Sequence, residues 1–309
     1  MTRAVVFAYH NVGVRCLSAL LAQGMKVALV VTHEDDPNET IWFGSVRKLA
    51  ELHHIPVATP ADPNTHDFVQ QVKALAPDFL FSFYYRYMLK APLLKIPHQG
   101  ALNMHGSLLP KYRGRVPVNW AVLHGERETG ASLHYMEIKP DAGDLLDQQA
   151  VPILPDDTAA EVFDKVTAAA EMVMVRSLPG LVAGTAPRTP LNLASGSYYG
   201  RRRPEDGRID WRQPAQAVHN LIRAVAPPYP GAFSVAGKQH IKVLRSHYAA
   251  EAARHAQPCL YAEAGRCHAD CGDGKRIEIL QLEHDGVTMD AARFAVQHAV
   301  SPLSLGDMA

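Results

Sequence analysis

One short segment carries the side chains best suited to chemistry. Asn103 and His105 stand two residues apart in Leu102–His105, which we predict to be a β-strand, so both side chains project from one face. Gly106 and Ser107 then predict a loop at the carboxyl end of this strand, where α/β sheets form their binding sites. An amide that donates to a developing oxyanion, beside an imidazole that moves a proton, suits acyl transfer.

Asp141 is the candidate partner of this histidine. It follows a separate predicted strand, in the turn Lys139–Gly143, and a carboxylate beside an imidazole raises the pKa of the histidine and orients its ring. Spacing alone leaves plainer alternatives open. Asn103 and His105 could form a hydrogen-bonded pair in the core, and Asp141 could simply begin a turn.

Two other kinds of site are disfavoured. A serine nucleophile at Ser107 lacks the Gly-x-Ser-x-Gly elbow, because Leu109 stands where the second glycine belongs. A metal clip at Cys267–Cys271 lacks a second pair of ligands. We therefore expect neither a nucleophilic serine nor a metal.

The surrounding chain predicts a sheet that can position these residues. Short apolar runs at Val5–Ala8, Val27–Val31 and Phe79–Phe83 are typical of buried strands, and helical patterns lie between them. This alternation predicts an α/β fold with a doubly wound, Rossmann-like, mainly parallel sheet and right-handed crossovers. Further predicted elements are the strand Ala131–Ile138 and helices at 14–23, 45–53, 66–75 and 158–178.

The first turn between strand and helix argues against a dinucleotide. Tyr9–Gly13 contains one glycine, whereas the dinucleotide fingerprint needs three for close approach to a pyrophosphate. We therefore expect no NAD despite the Rossmann-like sheet.

Composition changes near residue 200. Ser195–Pro204 is rich in turn-forming residues and predicts a linker, so we expect a catalytic domain at 1–200 and a second domain at 201–309. Alternating runs such as His240–Leu244 and Arg276–Leu282 predict that the second domain is small, β-rich and barrel-like (OB-like). We expect a frayed tail from about Ser301.

Charge and hydrophobicity exclude several classes of protein. The 309 residues contain 31 Lys and Arg against 31 Asp and Glu, and 47% are hydrophobic. Disordered chains have lower hydrophobicity and a higher net charge, and dedicated nucleic-acid binders have an excess of Lys and Arg. The apolar run at the N-terminus is too short for a signal peptide, and no stretch could span a membrane. Four cysteines are too few for a disulfide framework, so we expect a cytoplasmic protein.

The segment from Asn103 to Gly114 resembles a known family. Its pattern, Asn-x-His-x-Ser-Leu-Leu-Pro-x-Tyr-Arg-Gly, followed by Asp-Ala-Gly at 141–143, is similar to the 10-formyltetrahydrofolate-dependent formyltransferases. The similarity continues in VVFAYHNVG, FSFYYR, GRRRPEDGRIDW and NLIRAVAPPYPGAFS, and fades after about Arg245. It is greatest to the formyltransferase module of bifunctional polymyxin-resistance proteins, which formylates UDP-4-amino-4-deoxy-L-arabinose.

The resemblance implies a role for each residue of the constellation. Asn103 would donate to the formyl oxygen as it becomes an oxyanion. His105 would move a proton between the attacking amine and the leaving folate nitrogen, and Asp141 would raise the pKa of His105. No covalent enzyme intermediate is implied.

The resemblance also implies a binding surface for the folate donor. Tyr87 departs from a relative that has histidine there, a change that backbone contacts to the pterin would survive. The implied folate residues are Tyr87, Met88, Leu89, Arg115, Glu137, Ile138, Lys139 and Pro140.

Charge distinguishes two possible acceptors, methionyl-tRNA and a nucleotide-linked amino sugar. Residues 204–309 hold eleven Lys and Arg against twelve Asp and Glu, and the loop His33–Ser45 holds four acids without a Lys or Arg. Binding tRNA requires cations for its phosphates, so this balance favours a small substrate. Arg201, Arg202 and Arg203 could clamp its diphosphate or form a solvated linker.

Together these features predict a formyltransferase that uses 10-formyltetrahydrofolate and formylates the 4-amino group of a nucleotide sugar. UDP-4-amino-4-deoxy-L-arabinose is the preferred acceptor, which implies lipid A modification and polymyxin resistance. The alternatives are a methionyl-tRNA formyltransferase and a hydrolase that releases formate. We expect neither nucleic-acid nor membrane partners; a homo-oligomer and a separate decarboxylase partner remain open.

Overall fold

A computed structural model describes residues 2–236, 239–284, 286–297 and 303–305. The chain forms two compact units. The first comprises Met1–Pro117, Thr129–Val151 and Phe163–Gly200, and the second comprises Val118–Glu128, Pro152–Val162 and Arg201–Ala309. The predicted boundary between residues 200 and 201 therefore differs from this division in two places. The short segments Val118–Glu128 and Pro152–Val162 precede that boundary but belong to the second unit.

Strands and helices alternate along the first two thirds of the chain. In order they are β1 (Arg3–Ala8), α1 (His10–Ala22), β2 (Lys26–Val31), α2 (Val46–Leu52), β3 (Val57–Ala58), α3 (His66–Ala74), β4 (Phe79–Phe83), α4 (Ala91–Leu94), β5 (Gly100–His105), β6 (Arg113–Gly114), α5 (Pro117–Leu123), β7 (Glu128–Tyr135), β8 (Leu145–Pro152), α6 (Ala159–Val182) and β9 (Tyr198–Tyr199).

The main sheet has the strand order β3-β2-β1-β4-β5-β7-β8. Strands β1 to β5 pair in parallel, whereas β7 pairs antiparallel with β5. The prediction of a mainly parallel α/β sheet is confirmed. The predicted strand Ala131–Ile138 is displaced: the observed strand is Glu128–Tyr135, and the chain leaves the sheet after the Met136 N–H donates to the Ala101 carbonyl of β5.

Strand β4 supplies the centre of this sheet. Phe79, Phe81 and Phe83 are each at most 1% exposed, and their rings stack at centroid distances of 5.6 Å. Such pairs add about 0.5–1.5 kcal/mol beyond the area that they bury. This packing fixes β4, and the parallel ladder from β4 in turn fixes β5, which carries Asn103 and His105.

The second unit contains an antiparallel sheet. Its elements are α7 (Ala215–Val225), β10 (Ala232–Ala236), β11 (Gln239–His247), β12 (Cys259–Glu263), β13 (Arg266–Asp270), β14 (Arg276–His284), β15 (Val287–Asp290), α8 (Ala291–Gln297) and β16 (Leu303–Ser304). The order is β10-β11-β14-β13-β12-β16, and β15 pairs with β14. The prediction of a separate β-rich domain is confirmed.

The tail differs in part from the expected fraying. Leu303 and Ser304 pair with β12, and Leu305 is 3% exposed. The pairing with β12 and the burial of Leu305 hold this segment in place, although its terminal position predicted fraying. Residues 301–302 and 306–309 lie outside the described residues. In the part of the chain that is described, no helix is both long and apolar enough to cross a membrane.

A capping box starts α6 and gives a test of local stability. Thr158 Oγ1 accepts from the Glu161 backbone N–H at 3.3 Å, and Glu161 Oε2 accepts from the Thr158 N–H at 2.7 Å. Thr158→Ala should lower the free energy of unfolding by about 1 kcal/mol, measured by urea denaturation followed by circular dichroism. Thr158→Ser keeps the hydroxyl and should lose less than half as much. Equal losses in both variants would contradict the capping role.

Candidate active site

The first unit brings Asn103, His105 and Asp141 together. His105 Nδ1 lies 3.5 Å from Asp141 Oδ1, and Asn103 Nδ2 lies 3.5 Å from the same oxygen. Because the side chains of His105 and Asp141 are only 7% and 12% exposed, their charges act in a medium less polar than water. The two side chains of β5 therefore share one face and meet a carboxylate from a separate loop.

His134 is a fourth member that sequence analysis missed. It lies on β7 directly opposite Asn103, with its Nε2 3.1 Å from Asn103 Nδ2 and 3.5 Å from Asp141 Oδ1. Its Nδ1 is 2.9 Å from the Tyr135 carbonyl, which can only accept, so Nδ1 carries a proton. Its position inside a predicted buried strand could have indicated a functional histidine. The sequence did not show which strand pairs with this one, so His134 could not be placed beside Asn103.

The amide of Asn103 thus has one firm and one weak hydrogen bond. Its N–H to His134 is the shorter contact, whereas the 3.5 Å contact with Asp141 is at the limit of a hydrogen bond. The second N–H is therefore the donor that a substrate oxygen can take over.

The carboxylate of Asp141 is held as an anion. Burial raises its pKa, but the charge of His105 and the hydrogen bond from the Gly114 N–H lower that pKa well below its usual range. The Gly114 N–H donates to Oδ2 at 2.9 Å. Gly114 has φ +99°, and a Cβ there would lie 2.2 Å from the Tyr199 carbonyl oxygen, so only glycine fits.

The ring of His105 is oriented by the loop that follows it. Its Nε2 is 2.8 Å from the carbonyl oxygen of Tyr112, so Nε2 carries a proton and Nδ1 is the atom that can gain or lose one. Ser107, which we disfavoured as a nucleophile, is fully buried, and its hydroxyl donates to the Lys111 carbonyl at 2.7 Å. Its position fits a turn residue.

The residues implied in folate binding lie on three loops of the first unit. After β4, Tyr87 and Met88 are 45% and 50% exposed, while Leu89 is buried. Between β7 and β8, Ile138 is 76% exposed, with Glu137 and Lys139 exposed beside it and Pro140 half-buried. Arg115 is exposed after β6.

Asn64 holds the first of these loops and was not predicted from sequence. Its side-chain N–H donates to the Met88 carbonyl at 3.0 Å, and its oxygen accepts from the Lys90 N–H at 2.7 Å. The loop is therefore fixed on both sides of Leu89, and the Met88 carbonyl already has a partner.

The arginine triplet does not act as one exposed cluster. In the second unit, the Arg202 guanidinium lies over the Trp120 ring at 4.9 Å and donates to the Asp206 carbonyl at 2.9 Å. Burial lowers the pKa of Arg202, and the charge of Asp206 opposes this. Arg201 and Arg203 are exposed, so any contact of the triplet with phosphate would come first from these two.

Two acids of the loop His33–Ser45 are paired with cations outside it. Arg86 forms a double hydrogen bond with Glu39 at 2.6 and 2.7 Å, and Arg47 forms an ion pair with Glu34. These pairs make the loop less negative than its composition implies.

The Cys267–Cys271 segment has the character of core. Both thiols are buried in the second unit, and burial, the largest influence on each, raises both pKa values to about 12. Within the described residues, neither thiol belongs to a group of three potential metal ligands that lie close together.

Comparison with known proteins identifies the family. The model of the formyl transferase family matches residues 3–178, and the model of the formyl transferase C-terminal domain matches residues 202–299. The first match alone covers more than half of the chain.

Solved structures share the fold at low sequence identity. An N-formyltransferase from Helicobacter canadensis, in complex with folinic acid and dTDP-3-aminofucose, has TM-score 0.74 and 23% identity, over 90% of this chain and 99% of that one. WlaRD, a sugar 3N-formyltransferase crystallised with dTDP and 5-N-formyl-THF, has TM-score 0.70 and 19% identity, over 90% and 97%. HypX from Aquifex aeolicus, in complex with tetrahydrofolic acid, has TM-score 0.64 and 18% identity, over 95% and 46%. From the family match, the chain belongs to the formyl transferase family and is a formyltransferase.

Proposed function

We propose that this enzyme transfers a formyl group from 10-formyltetrahydrofolate to the 4-amino group of a nucleotide-linked amino sugar. UDP-4-amino-4-deoxy-L-arabinose is the preferred acceptor, which would place the enzyme in lipid A modification and polymyxin resistance. The observation that carries the proposal is the convergence of Asn103, His105 and Asp141 within the part of the chain that matches the family. That two enzymes of the same fold were crystallised with sugar nucleotides or their nucleotide part supports the acceptor class.

Asn103 is proposed to stabilise negative charge on the formyl oxygen. The N–H that makes only a 3.5 Å contact with Asp141 can turn to that oxygen, while the N–H to His134 keeps the amide in place. Donors that are held in position before charge develops cost no reorganisation during the reaction.

His105 is proposed to move the proton from the attacking amine to the departing nitrogen. Because Nε2 is bound to the Tyr112 carbonyl, the proton is gained and lost at Nδ1, beside Asp141. Asp141 is a carboxylate at neutral pH, since its pKa is lowered, and its negative charge faces the Nδ1 atom of His105.

The donor folate would supply a formyl group already bonded to nitrogen. The exposed Tyr87, Met88 and Ile138 offer an aromatic and aliphatic surface to a flat heteroaromatic ring. Asn64 fixes the backbone on both sides of Leu89 in the loop that follows β4. Arg115 and Lys139 are the cations proposed to meet the glutamate carboxylates of the folate.

The acceptor assignment rests on charge. The second unit has no excess of Lys and Arg over Asp and Glu in residues 204–309, and the loop His33–Ser45 remains acidic even after Arg47 and Arg86 neutralise two of its acids. Neither feature suits a polyanionic tRNA. Arg201 and Arg203 are proposed to pair with the diphosphate of a sugar nucleotide.

Asn103→Ala should lower kcat about a hundredfold to a thousandfold, because one donor to the developing oxyanion is lost. The KM values for both substrates should change much less. Steady-state formyl transfer, followed by mass spectrometry of the product, measures this effect. The same substitution at Asn192, an exposed residue that caps a short turn, is the control, and unchanged turnover in Asn103→Ala would remove the proposed role.

Asp141→Asn tests the ionised state of the carboxylate. The folded-state pKa lies below that of an unfolded Asp, about 3.9, so the ionised form stabilises the fold above that pH and the benefit is lost as pH falls. The stability gap between wild type and variant should therefore narrow by about 1 kcal/mol from pH 5 to pH 3. Urea unfolding at both pH values measures it, and a constant gap would contradict the assignment.

A panel of acceptors tests the function itself. The protein should formylate UDP-4-amino-4-deoxy-L-arabinose more efficiently than other nucleotide amino sugars, and it should leave methionyl-tRNA unmodified. With 10-formyltetrahydrofolate alone, it should release almost no formate. Transfer to tRNA only, or release of formate without an acceptor, would replace the proposal by one of the two alternative activities.

A further inference from the structure

A second group of chemically active side chains lies in the antiparallel domain, outside the constellation around Asp141. His255, Cys259 and Asp270 bring an imidazole nitrogen, a thiol sulfur and a carboxylate oxygen within 4.8 Å of one another. Within the described ranges, no other trio of potential metal ligands meets at this distance. The sequence analysis did not single out His255, because most of the β12–β13 hairpin lies between it and Asp270 in the sequence.

The hairpin of β12 and β13 positions two members of the trio. The register Leu260↔Ala269 places Cys259 and Asp270 at the next pair of positions, opposite each other. His255 comes from the loop before β12, where the backbone N–H groups of Arg254 and His255 donate to the Asp270 carboxylate at 3.1 and 2.8 Å. The backbone therefore holds the three side chains in place, which favours ligand binding.

The carboxylate of Asp270 is completely buried. Its Oδ1 accepts from the Tyr261 hydroxyl at 3.1 Å, while its Oδ2 is approached by His255 Nδ1 at 2.9 Å and Cys259 Sγ at 3.8 Å. The Tyr261 ring also packs edge-on against the His255 ring at 4.6 Å. One oxygen is thus supported by the Tyr261 hydroxyl, as outer-sphere partners support metal ligands. The other accepts from the backbone N–H groups of Arg254 and His255 and also faces the two metal-binding groups.

We propose that His255 Nδ1, Cys259 Sγ and Asp270 Oδ2 bind one zinc ion, with water as the fourth ligand. Bond lengths of about 2.0–2.3 Å to N, S and O ligands imply tetrahedral ligand separations of roughly 3.3–3.7 Å. The separations of 2.9 Å and 3.8 Å from Asp270 Oδ2 fall within about half an ångström of that range. The third separation, between His255 Nδ1 and Cys259 Sγ, is at most 4.8 Å, so an ion would have to draw these two side chains together. A sulfur ligand favours zinc over magnesium or calcium.

Access and proton balance are both consistent with an entering ion. The His255 side chain is 35% exposed, so one of the three proposed ligands is accessible from solvent. On binding, Cys259 loses its thiol proton, and a neutral His255 moves its ring proton from Nδ1 to Nε2. One proton is therefore released to solvent for each zinc ion bound, and no redox step occurs.

The bound ion would connect the loop before β12 to the end of β13. The proposed zinc ion has no part in formyl transfer, so a test of this site is independent of a test of the proposed function. The contrasting interpretation is a hydrogen-bonded cluster in which Asp270 is satisfied by Tyr261, His255 and backbone N–H groups and no ion binds.

Metal analysis of the full chain separates these interpretations. After incubation with zinc and dialysis, the wild type should retain one equivalent, and cobalt(II) in place of zinc should give a thiolate-to-metal charge-transfer band. Cys259→Ala and His255→Ala should each weaken binding by more than about a hundredfold, more than loss of an outer-sphere partner costs. Cys271→Ala, which removes another buried thiol of the domain, is the matched control and should bind like the wild type.

Thermal unfolding provides a second measurement. Zinc should raise the midpoint of the wild type and of Cys271→Ala, but not of the two ligand variants, because an ion that binds only the folded state stabilises it. If Cys259→Ala fails to fold, His255→Ala still decides, since that side chain is partly exposed. Substoichiometric zinc in the wild type, or an unchanged cobalt spectrum in either ligand variant, would overturn the proposal.

Discussion

The buried negative charge of Asp141 is the constraint on which the rest of the candidate active site depends. A carboxylate that is 12% exposed is stable only if donors and positive charge surround it. Gly114 supplies a backbone N–H, His105 supplies an imidazole, and Asn103, which is held by His134, supplies an amide N–H. Each contribution imposes a condition elsewhere: a backbone that only glycine adopts at 114, a fixed ring orientation at His105, and one particular pairing of β5 with β7.

The pairing of β5 with β7 shows how a mainly parallel sheet serves this purpose. Because β7 runs antiparallel to β5, His134 lies directly opposite Asn103 and can hold its amide. A shift of one residue would place Leu133 or Tyr135 there and turn His134 to the other face of the sheet. The geometry of the site therefore depends on the antiparallel pairing of β7 with β5.

Sequence alone predicted what depends on short-range pattern. Periodicity located strands β1, β2, β4, β5 and most of β7, and the helices α1, α2, α3 and α6, but not the short elements between them. The spacing of Asn103 and His105 predicted that they share a face. It could not predict His134, because strand register is a tertiary property, nor that Arg202 turns onto Trp120 while its two neighbours stay exposed. Counting charges likewise overstated the acidity of the loop His33–Ser45, because Arg47 and Arg86 lie outside it.

The chain passes between the two units several times. The segments 118–128 and 152–162 belong to the second unit although the first unit surrounds them in sequence. The buried amide of Asn119 donates to the Ala224 carbonyl at 2.8 Å, a partner that comes much later in the chain. A fragment ending at Gly200 would leave that amide and its apolar neighbours uncovered. Residues 1–200 are consequently not a self-contained module, because two segments within them complete their packing only with the C-terminal third of the chain.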